Sequence, residues 1–162
     1  MRRAFGMVIA GVVAFCLALP DVAVAQKQQA PFYMSIKAPK ARMRTGPGRE
    51  FPAIWLYQRS GLPVRVIGTH KEWRKVEDSD GARGWVQANL LSESRTGLVM
   101  GTTAELLESP RFGARLLWRA APGVVGRISK CARGWCWLDV MGRGGFVEAN
   151  RLWGVDRDEV LG

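Results

Sequence analysis

The sequence predicts an all-β protein built from two tandem small β-barrels that follow an N-terminal signal helix. Its 162 residues include 19 Gly and 8 Pro, a composition that favours turns and strands over long helices. The length allows one domain or two small ones, and the chain after residue 25 contains an internal repeat. In that part of the sequence no window keeps an apolar period of 3.6 residues over three helical turns.

The first 25 residues have the three parts of a secretory signal. Arg2 and Arg3 form a basic start, an apolar run covers residues 4–19, and Ala23-Val24-Ala25 supplies small residues before a cut. A retained membrane anchor is the alternative, but this run is shorter than the roughly 20 apolar residues that span a bilayer. We therefore predict cleavage after Ala25, a periplasmic or secreted product, and no stable membrane span in the mature chain.

The predicted mature chain is strongly basic. The whole sequence has 24 Lys and Arg against 14 Asp and Glu, and removal of residues 1–25 leaves 22 against 13, a formal charge of +9. A positive field favours anionic partners. Outside the cytosol these are wall-peptide carboxylates, anionic lipid headgroups or lipopolysaccharide. We expect no nucleic-acid partner, because the compartment is wrong and the aromatic-basic signature of an RNA-reading sheet is missing.

Two copies of about 60 residues account for nearly all of the mature chain. Matching residues lie at offsets of 63, 62 and then 61 positions, and each change falls near a turn signal, where single-residue length changes are tolerated. Trp73 matches Trp135 in this way, and Gly84 matches Gly145. The predicted organisation is a signal peptide over 1–25, a polar leader over 26–32, a first barrel over 33–93, a second barrel over 96–155 and a short acidic tail over 156–162.

Each copy shows the pattern of short strands. Polar and apolar residues alternate, and turns recur every 8–12 residues, as in small barrels or sandwiches. In the first copy we predict five strands, near residues 40–44, 53–57, 62–69, 73–77 and 84–86, and then a short helical turn over 88–91.

Two cysteines remain after the predicted cleavage, Cys131 and Cys136. An even pair in an oxidising compartment favours a disulfide, which here would join facing positions of a hairpin. Free thiols and a redox-active pair are the alternatives, although redox pairs usually have two intervening residues. We expect no metal or cofactor, because His70 is the only histidine and lies 61 residues before Cys131.

Catalytic constellations are absent from the sequence pattern. His70 falls in a predicted hairpin turn, where it is most simply exposed, and a serine hydrolase needs a histidine oriented by an acid. Glu105 and Glu108 lie too close together on one strand to flank a scissile bond. We therefore predict that the protein is not an enzyme.

Several motifs resemble those of bacterial Src-homology-3-like domains. Residues 42–47, Arg-Met-Arg-Thr-Gly-Pro, are similar to the opening of that family. Residues 72–76 and 80–86 resemble its "W-x-x-V" and "DG-x-x-GWV" close. The motifs recur in order in the second copy, and Gly134-Trp135-Cys136 resembles an exported, tandem-repeat subfamily with a cysteine before and within its "GWC". The resemblance implies five- or six-stranded bent barrels that bind rather than catalyse, many of them on peptidoglycan.

The sequence also departs from the family. The second copy lacks the Arg and Gly of the opening motif, since residues 105–110 read Glu-Leu-Leu-Glu-Ser-Pro. Neither copy has the Pro and Tyr with which eukaryotic relatives grip proline-rich peptides, so we do not expect that recognition mode.

Strand alternation nominates the binding residues. Trp73 is predicted to face away from core residue Val76, and Trp135 and Trp137 to face away from Leu138. Outward indoles indicate either a ligand platform or contact between the barrels, and for Trp137 we favour a contact between the barrels or a scaffold role. Packing roles are predicted for four other aromatic residues, Trp55, Trp85, Trp118 and Phe146. The candidate binding residues are Arg42, Arg44, Trp73, Lys75, Trp135 and Trp137.

The leading functional hypothesis is an exported binding module that docks on cell-wall peptide or glycan, or on another anionic envelope component. A protein–protein adaptor in a periplasmic complex, with an envelope protein as its partner, is the alternative. An inhibitor that masks an enzyme is a third, minor hypothesis.

Overall fold

The computed structural model describes residues 29–162. The predicted signal peptide and its cleavage site lie outside these residues. Fourteen strands and two 3-10 turns make up the regular structure of the described part of the chain. Neither turn is long enough to cross a membrane, and residues 29–162 contain no other helix.

The first copy forms one seven-stranded antiparallel sheet. Its strands are β1 (Phe32–Ile36), β2 (Ala41–Arg44), β3 (Ala53–Tyr57), β4 (Pro63–His70), β5 (Trp73–Glu77), β6 (Arg83–Gln87) and β7 (Leu91–Ser92). A 3-10 turn, Ala88–Leu90, joins the last two. The strands pair in the order β3-β2-β6-β5-β4-β1-β7.

The second copy repeats this arrangement element by element. Its strands are β8 (Thr96–Val99), β9 (Ala104–Leu107), β10 (Leu116–Ala120), β11 (Val125–Ala132), β12 (Trp135–Val140), β13 (Arg143–Glu148) and β14 (Leu152–Trp153). A 3-10 turn, Ala149–Arg151, precedes β14. The pairing order, β10-β9-β13-β12-β11-β8-β14, is that of the first sheet.

These two sheets confirm the prediction of an all-β protein with two tandem Src-homology-3-like barrels. The predicted count of five strands per copy was too low. The prediction missed β1 and took Leu91, the first residue of β7, as the end of the helical turn; β8 and β14 are the counterparts of these two strands in the second copy. The two-residue strands β7 and β14 are too short to show alternation.

Turn chemistry explains the hairpins of the second barrel. Two-residue turns that match the twist of the strands need positive φ at both central residues. Arg133 and Gly134 have φ of 52° and 78° between β11 and β12, and Met141 and Gly142 have φ of 54° and 84° between β12 and β13. Asp139 Oδ1 also accepts a hydrogen bond from the Gly142 N–H at 3.0 Å, which fixes the second turn.

Each barrel has its own hydrophobic core. The first core centres on fully buried side chains from four strands, including Met43, Val66, Val76 and Val86. The second core is built on the aligned strands and includes Leu106, Ile128, Leu138 and Val147. Two separate cores exclude the alternative of one undivided domain.

A buried polar pair closes the first core. The Tyr57 hydroxyl donates a hydrogen bond to Asp78 Oδ2 at 3.0 Å. Burial, and then the charge of the Asp78 carboxylate, raises the pKa of Tyr57 above its ordinary value. Asp78 Oδ1 in turn accepts hydrogen bonds from the backbone N–H groups of Asp80 and Ala82, so the turn before β6 is fixed from the core.

A disulfide joins Cys131 and Cys136, which confirms that prediction. The two cysteines are direct cross-strand partners on β11 and β12. In the first barrel Thr69 and Arg74 form the equivalent cross-strand pair. Backbone hydrogen bonds between Cys131 and Leu161 attach the C-terminal segment to this hairpin.

The barrels touch through aromatic and backbone contacts. Tyr33 of β1 and Trp153 of β14 meet edge to face, with ring centroids 5.7 Å apart. The Trp153 indole N–H donates to the Pro63 carbonyl at 3.2 Å. Arg59 of the first barrel donates to the Gly123 carbonyl of the second at 2.9 Å. These contacts join residues 60 to 120 positions apart in the chain.

Arg95, between the barrels, anchors the C-terminal segment. Its guanidinium forms two hydrogen bonds with the Glu159 carboxylate, and Nη2 also donates to the Gly154 carbonyl at 2.7 Å. The guanidinium carbon lies 5.5 Å from the Tyr33 ring centroid, so the same residue contacts the first barrel. The predicted acidic tail, residues 156–162, is therefore held by Glu159 against the junction of the barrels.

Candidate functional site

A groove on the first barrel collects residues from several separate segments. β2 contributes Arg42 and Arg44, with Lys40 just before it, the β2–β3 loop contributes Arg49, and the remainder come from β3, β5, β6 and the 3-10 turn. The cavity has a volume of about 500 Å³. Six of its lining residues are Arg42, Arg44, Arg49, Trp73, Gln87 and Leu90. We call this surface groove 1.

Groove 1 is strongly cationic. Lys40 joins Arg42, Arg44 and Arg49 in its lining, and none of the described residues that line it is acidic. Among the described residues none of these four cations forms a salt bridge. The Arg44 guanidinium donates to the Phe51 carbonyl at 2.6 Å, which fixes its position at the rim. Four uncompensated cations in one concavity favour an anionic ligand.

Trp73 forms part of the groove 1 lining at the start of β5. Its cross-strand partner on β6 is Gln87, which lines the groove beside it. Trp73 is 8% exposed and lies outside the core cluster that contains Val76. The expectation of an exposed indole at this position was wrong, since the residue is buried.

A second groove lies at the repeat-equivalent place on the second barrel. Its volume is about 210 Å³. Six of the residues that line it are the repeat counterparts of the six groove 1 residues named above. In the same order they are Glu105, Leu107, Phe112, Trp135, Glu148 and Arg151. We call this surface groove 2. The duplication has preserved the tryptophan and the position of the groove while changing most of the other side chains.

The charge of groove 2 is not that of groove 1. Glu105 and Glu148 replace Arg42 and Gln87, and Phe112 replaces Arg49. The two grooves therefore differ in both sign and chemistry.

Local contacts fix the groove 2 side chains. Phe112 and Trp135 meet edge to face, with centroids 5.2 Å apart. Arg151 also lines the groove; its Nη2 donates to the Thr102 carbonyl at 2.8 Å, and among the described residues it forms no salt bridge with either acid. Groove 2 therefore presents an aromatic pair beside carboxylates.

The other predicted binding residues lie elsewhere. Lys75 is exposed on β5 but lines neither groove. Trp137 packs edge to face on Phe146 at 5.1 Å, and the Lys130 ammonium lies 5.4 Å from its ring centroid. These contacts are all within the second barrel, which fits the scaffold part of the expectation for Trp137 and not contact between the barrels. That contact is made by Tyr33 and Trp153 instead.

The packing roles predicted for Trp55 and Trp118 were wrong. Trp55 is 56% exposed and Trp118 is 44% exposed, since both lie on strands at the free edge of their sheets, β3 and β10. The Arg143 guanidinium covers the Trp118 ring at 5.2 Å. Trp85 and Phe146, in contrast, are half-buried on central strands.

Sequence reasoning missed several groove residues. Lys40, Arg49 and Gln87 of groove 1 were not singled out, nor were Phe112 and Glu148 of groove 2. An alignment of the two copies could have identified them. It aligns Gln87 with Glu148 and Arg49 with Phe112, so the side-chain chemistry changes at these positions. Within residues 29–162 no group of three His, Cys, Asp or Glu side chains is placed to hold a metal ion.

Comparison with known proteins gives a family match over both copies. The family model described as bacterial SH3 domain matches residues 37–93 and again 101–154. No curated protein matches the chain.

Two solved structures resemble the chain at low identity. NlpC2 from Trichomonas vaginalis is 13% identical with a TM-score of 0.36, and the match covers 80% of this chain and 52% of that one. NlpC1 from the same organism is 12% identical with a TM-score of 0.36, and the match covers 84% of this chain and 50% of that one. The chain thus spans about half the length of these two structures.

Proposed function

Because this chain belongs to the family of bacterial SH3 domains, we propose that it is an exported, non-enzymatic binding module. Groove 1 is its principal site, and the ligand is an anionic component of the cell envelope, with peptidoglycan peptide carboxylates as the leading candidate. The observation that carries the proposal is the set of four cations in groove 1, without a carboxylate among the lining residues. A family of binding modules and the predicted export both support this direction.

The chemistry of groove 1 suits a flexible peptide with carboxylate groups. Arginine donates two parallel hydrogen bonds to a carboxylate, and three arginines line the cavity. Trp73, Leu56 and Leu90 supply apolar lining between them, on which the aliphatic part of such a ligand can pack. Gln87 provides an amide beside Trp73 for the ligand's peptide groups.

Binding to purified cell-wall sacculi tests the proposal. The full protein should co-sediment with sacculi at about 0.15 M salt, where attraction between distant exposed charges is screened. Arg42→Gln should weaken binding by about two- to fivefold, because an exposed ion pair contributes roughly 0.2–1 kcal/mol. Lys75→Gln is the matched control, since it removes the same charge from β5 outside the groove. Equal losses for the two variants would leave general charge attraction as the explanation and defeat the proposal.

A protein–protein adaptor is the second candidate function. The observation in its favour is the free-edge strand β3, where Ile54, Trp55 and Leu56 are 50%, 56% and 39% exposed. Exposed apolar edge strands pair readily with strands of other chains. A photo-crosslinking residue at position 54 should then capture one defined envelope protein in living cells, and sacculus binding should be absent. Crosslinking that is diffuse, or no stronger than at exposed Lys75, would count against this alternative.

A further inference from the structure

We propose that groove 2 is a second binding site, of opposite preference to groove 1, which takes an organic cation such as the ammonium group of a lysine-like peptide side chain. The inference goes beyond the proposed function, because an anion site in groove 1 neither requires nor predicts it. It starts from the repeat: two aligned cavities share a tryptophan but differ in charge at the positions around it.

Glu148 is the anionic group of this site. Glu148 is the direct cross-strand partner of Trp135, and Gln87 is the direct cross-strand partner of Trp73. The position beside the tryptophan therefore carries a carboxylate in groove 2 and an amide in groove 1. Among the described residues Glu148 forms no salt bridge. Its charge is therefore available to a ligand seated against the indole.

One basic side chain, Arg151, lines groove 2 and keeps its charge, and a second, Arg119, lies beside Glu105. Arg151 donates to the carbonyl groups of Thr102 and Thr103, on the loop before β9. Arg119 lies 3.5 Å from the Glu105 carboxylate, with both side chains more than half exposed. Glu105 is thus partly compensated, and Glu148 is left as the carboxylate without a basic partner beside the aromatic pair.

The aromatic pair selects an organic cation over a metal ion. A cation is attracted to the face of an aromatic ring, and tryptophan gives the strongest effect. Phe112 is 76% exposed and meets Trp135 edge to face, which leaves aromatic surface open to a ligand. Calcium and magnesium instead require several oxygen ligands, whereas groove 2 has two acidic side chains.

Titration of the full protein with Nα-acetyl-lysine methylamide tests the proposal. This probe carries one ammonium group, and its Nε-acetylated form is the neutral control, which keeps the same backbone and side-chain stem. The readout is the indole N–H resonance of Trp135 in the nitrogen-15 spectrum, assigned by its loss in Trp135→Phe. We expect the charged probe to move the Trp135 resonance more than that of Trp73, and the neutral probe to move neither.

Two substitutions and one control locate the site. Glu148→Gln should weaken binding of the charged probe by about two- to fivefold, the range for one exposed ion pair. The first barrel already carries glutamine at this position, so the fold accepts it. Phe112→Ala should cause a similar loss, as removal of an exposed cation–π contact does. Glu108→Gln removes a carboxylate of the same barrel that does not line groove 2, and it should leave binding unchanged.

Three results would overturn the proposal. The Trp135 resonance could fail to move, the neutral probe could move it equally, or Glu148→Gln and Glu108→Gln could have the same effect. The Trp135 resonance could also shift with protein concentration when no probe is present. If Arg42→Gln abolished that shift, groove 1 of a second copy would be the occupant of groove 2 instead. Groove 1 is judged separately by sacculus binding, so failure of one site is distinguishable from failure of the other.

Discussion

The Arg95–Glu159 pair should stabilise the junction of the barrels, and Glu159→Gln is the substitution that measures this contribution. The side chains are only 15% and 20% exposed, and the guanidinium forms two hydrogen bonds with the carboxylate. Hydrogen bonds to charged groups contribute about 1.5–3 kcal/mol. For a protein of this size that free energy corresponds to a fall in melting temperature of about 6–12 °C.

The same pair predicts how stability depends on pH. Burial alone would raise the pKa of Glu159, but the hydrogen bonds and charge of Arg95 outweigh it and hold the pKa below the ordinary value of 4.5. The folded carboxyl therefore binds its proton less readily than the unfolded one. Its stabilisation is complete above about pH 4.5 and is lost as the pH falls through the lowered pKa.

Thermal unfolding of the two proteins between pH 7 and pH 3 is the assay. The melting temperatures of the wild type and Glu159→Gln should differ most at pH 7 and converge below pH 4.5. Glu108→Gln is the matched control, because it breaks an ion pair of the same chemistry whose side chains are exposed. Equal melting temperatures for the two variants at pH 7, or a difference that does not shrink as the pH falls from 4.5 to 3, would refute the reasoning.

Three further predictions concern the scaffold. Reduction of the disulfide should raise the intact mass by two hydrogens. It should also lower the unfolding free energy of the second barrel by about 2 kcal/mol, the loop-entropy estimate for so short a ring. Urea unfolding with and without reductant measures this loss. Trp153→Phe should remove the hydrogen bond to the Pro63 carbonyl and weaken the contact between the barrels by about 1 kcal/mol. Calorimetry should then resolve two unfolding transitions, and a single unshifted transition would contradict this prediction. Gly84→Ala should lower the free energy of unfolding by about 1–3 kcal/mol, because the new Cβ would lie 2.7 Å from the Arg44 carbonyl oxygen. Gly68→Ala is the control, and its effect should be much smaller because the new Cβ would lie 3.5 Å from Lys75 Cβ.

Local signals explain why so much of the fold was predictable. Alternation along β12 placed Leu138 inward and Trp137 outward, since side chains of a strand point to opposite faces. The cysteine spacing around a two-residue turn was enough to predict a cross-strand disulfide. Each of these inferences depends on residues within a few positions of one another.

The candidate site was less predictable because its parts are distant in the chain. β2 lies beside β6 in the sheet, although about forty residues separate them in sequence. This crossover brings Arg42 to the groove that Trp73 and Gln87 also line. Strand alternation alone could not show that Lys75, on the same strand as Trp73, lies outside it.

The amino-acid sequence by itself determined the duplication, the strand-rich fold and the disulfide, because periodicity and turn residues act over short stretches of chain. The tertiary structure alone decided which aromatic residues are covered, since Trp55 is exposed on the edge strand β3 while Trp73 is buried on the central strand β5. It also decided that Trp153 meets Tyr33 across 120 residues. Contacts of that kind depend on how the two sheets pack in space, and no local pattern of residues encodes them.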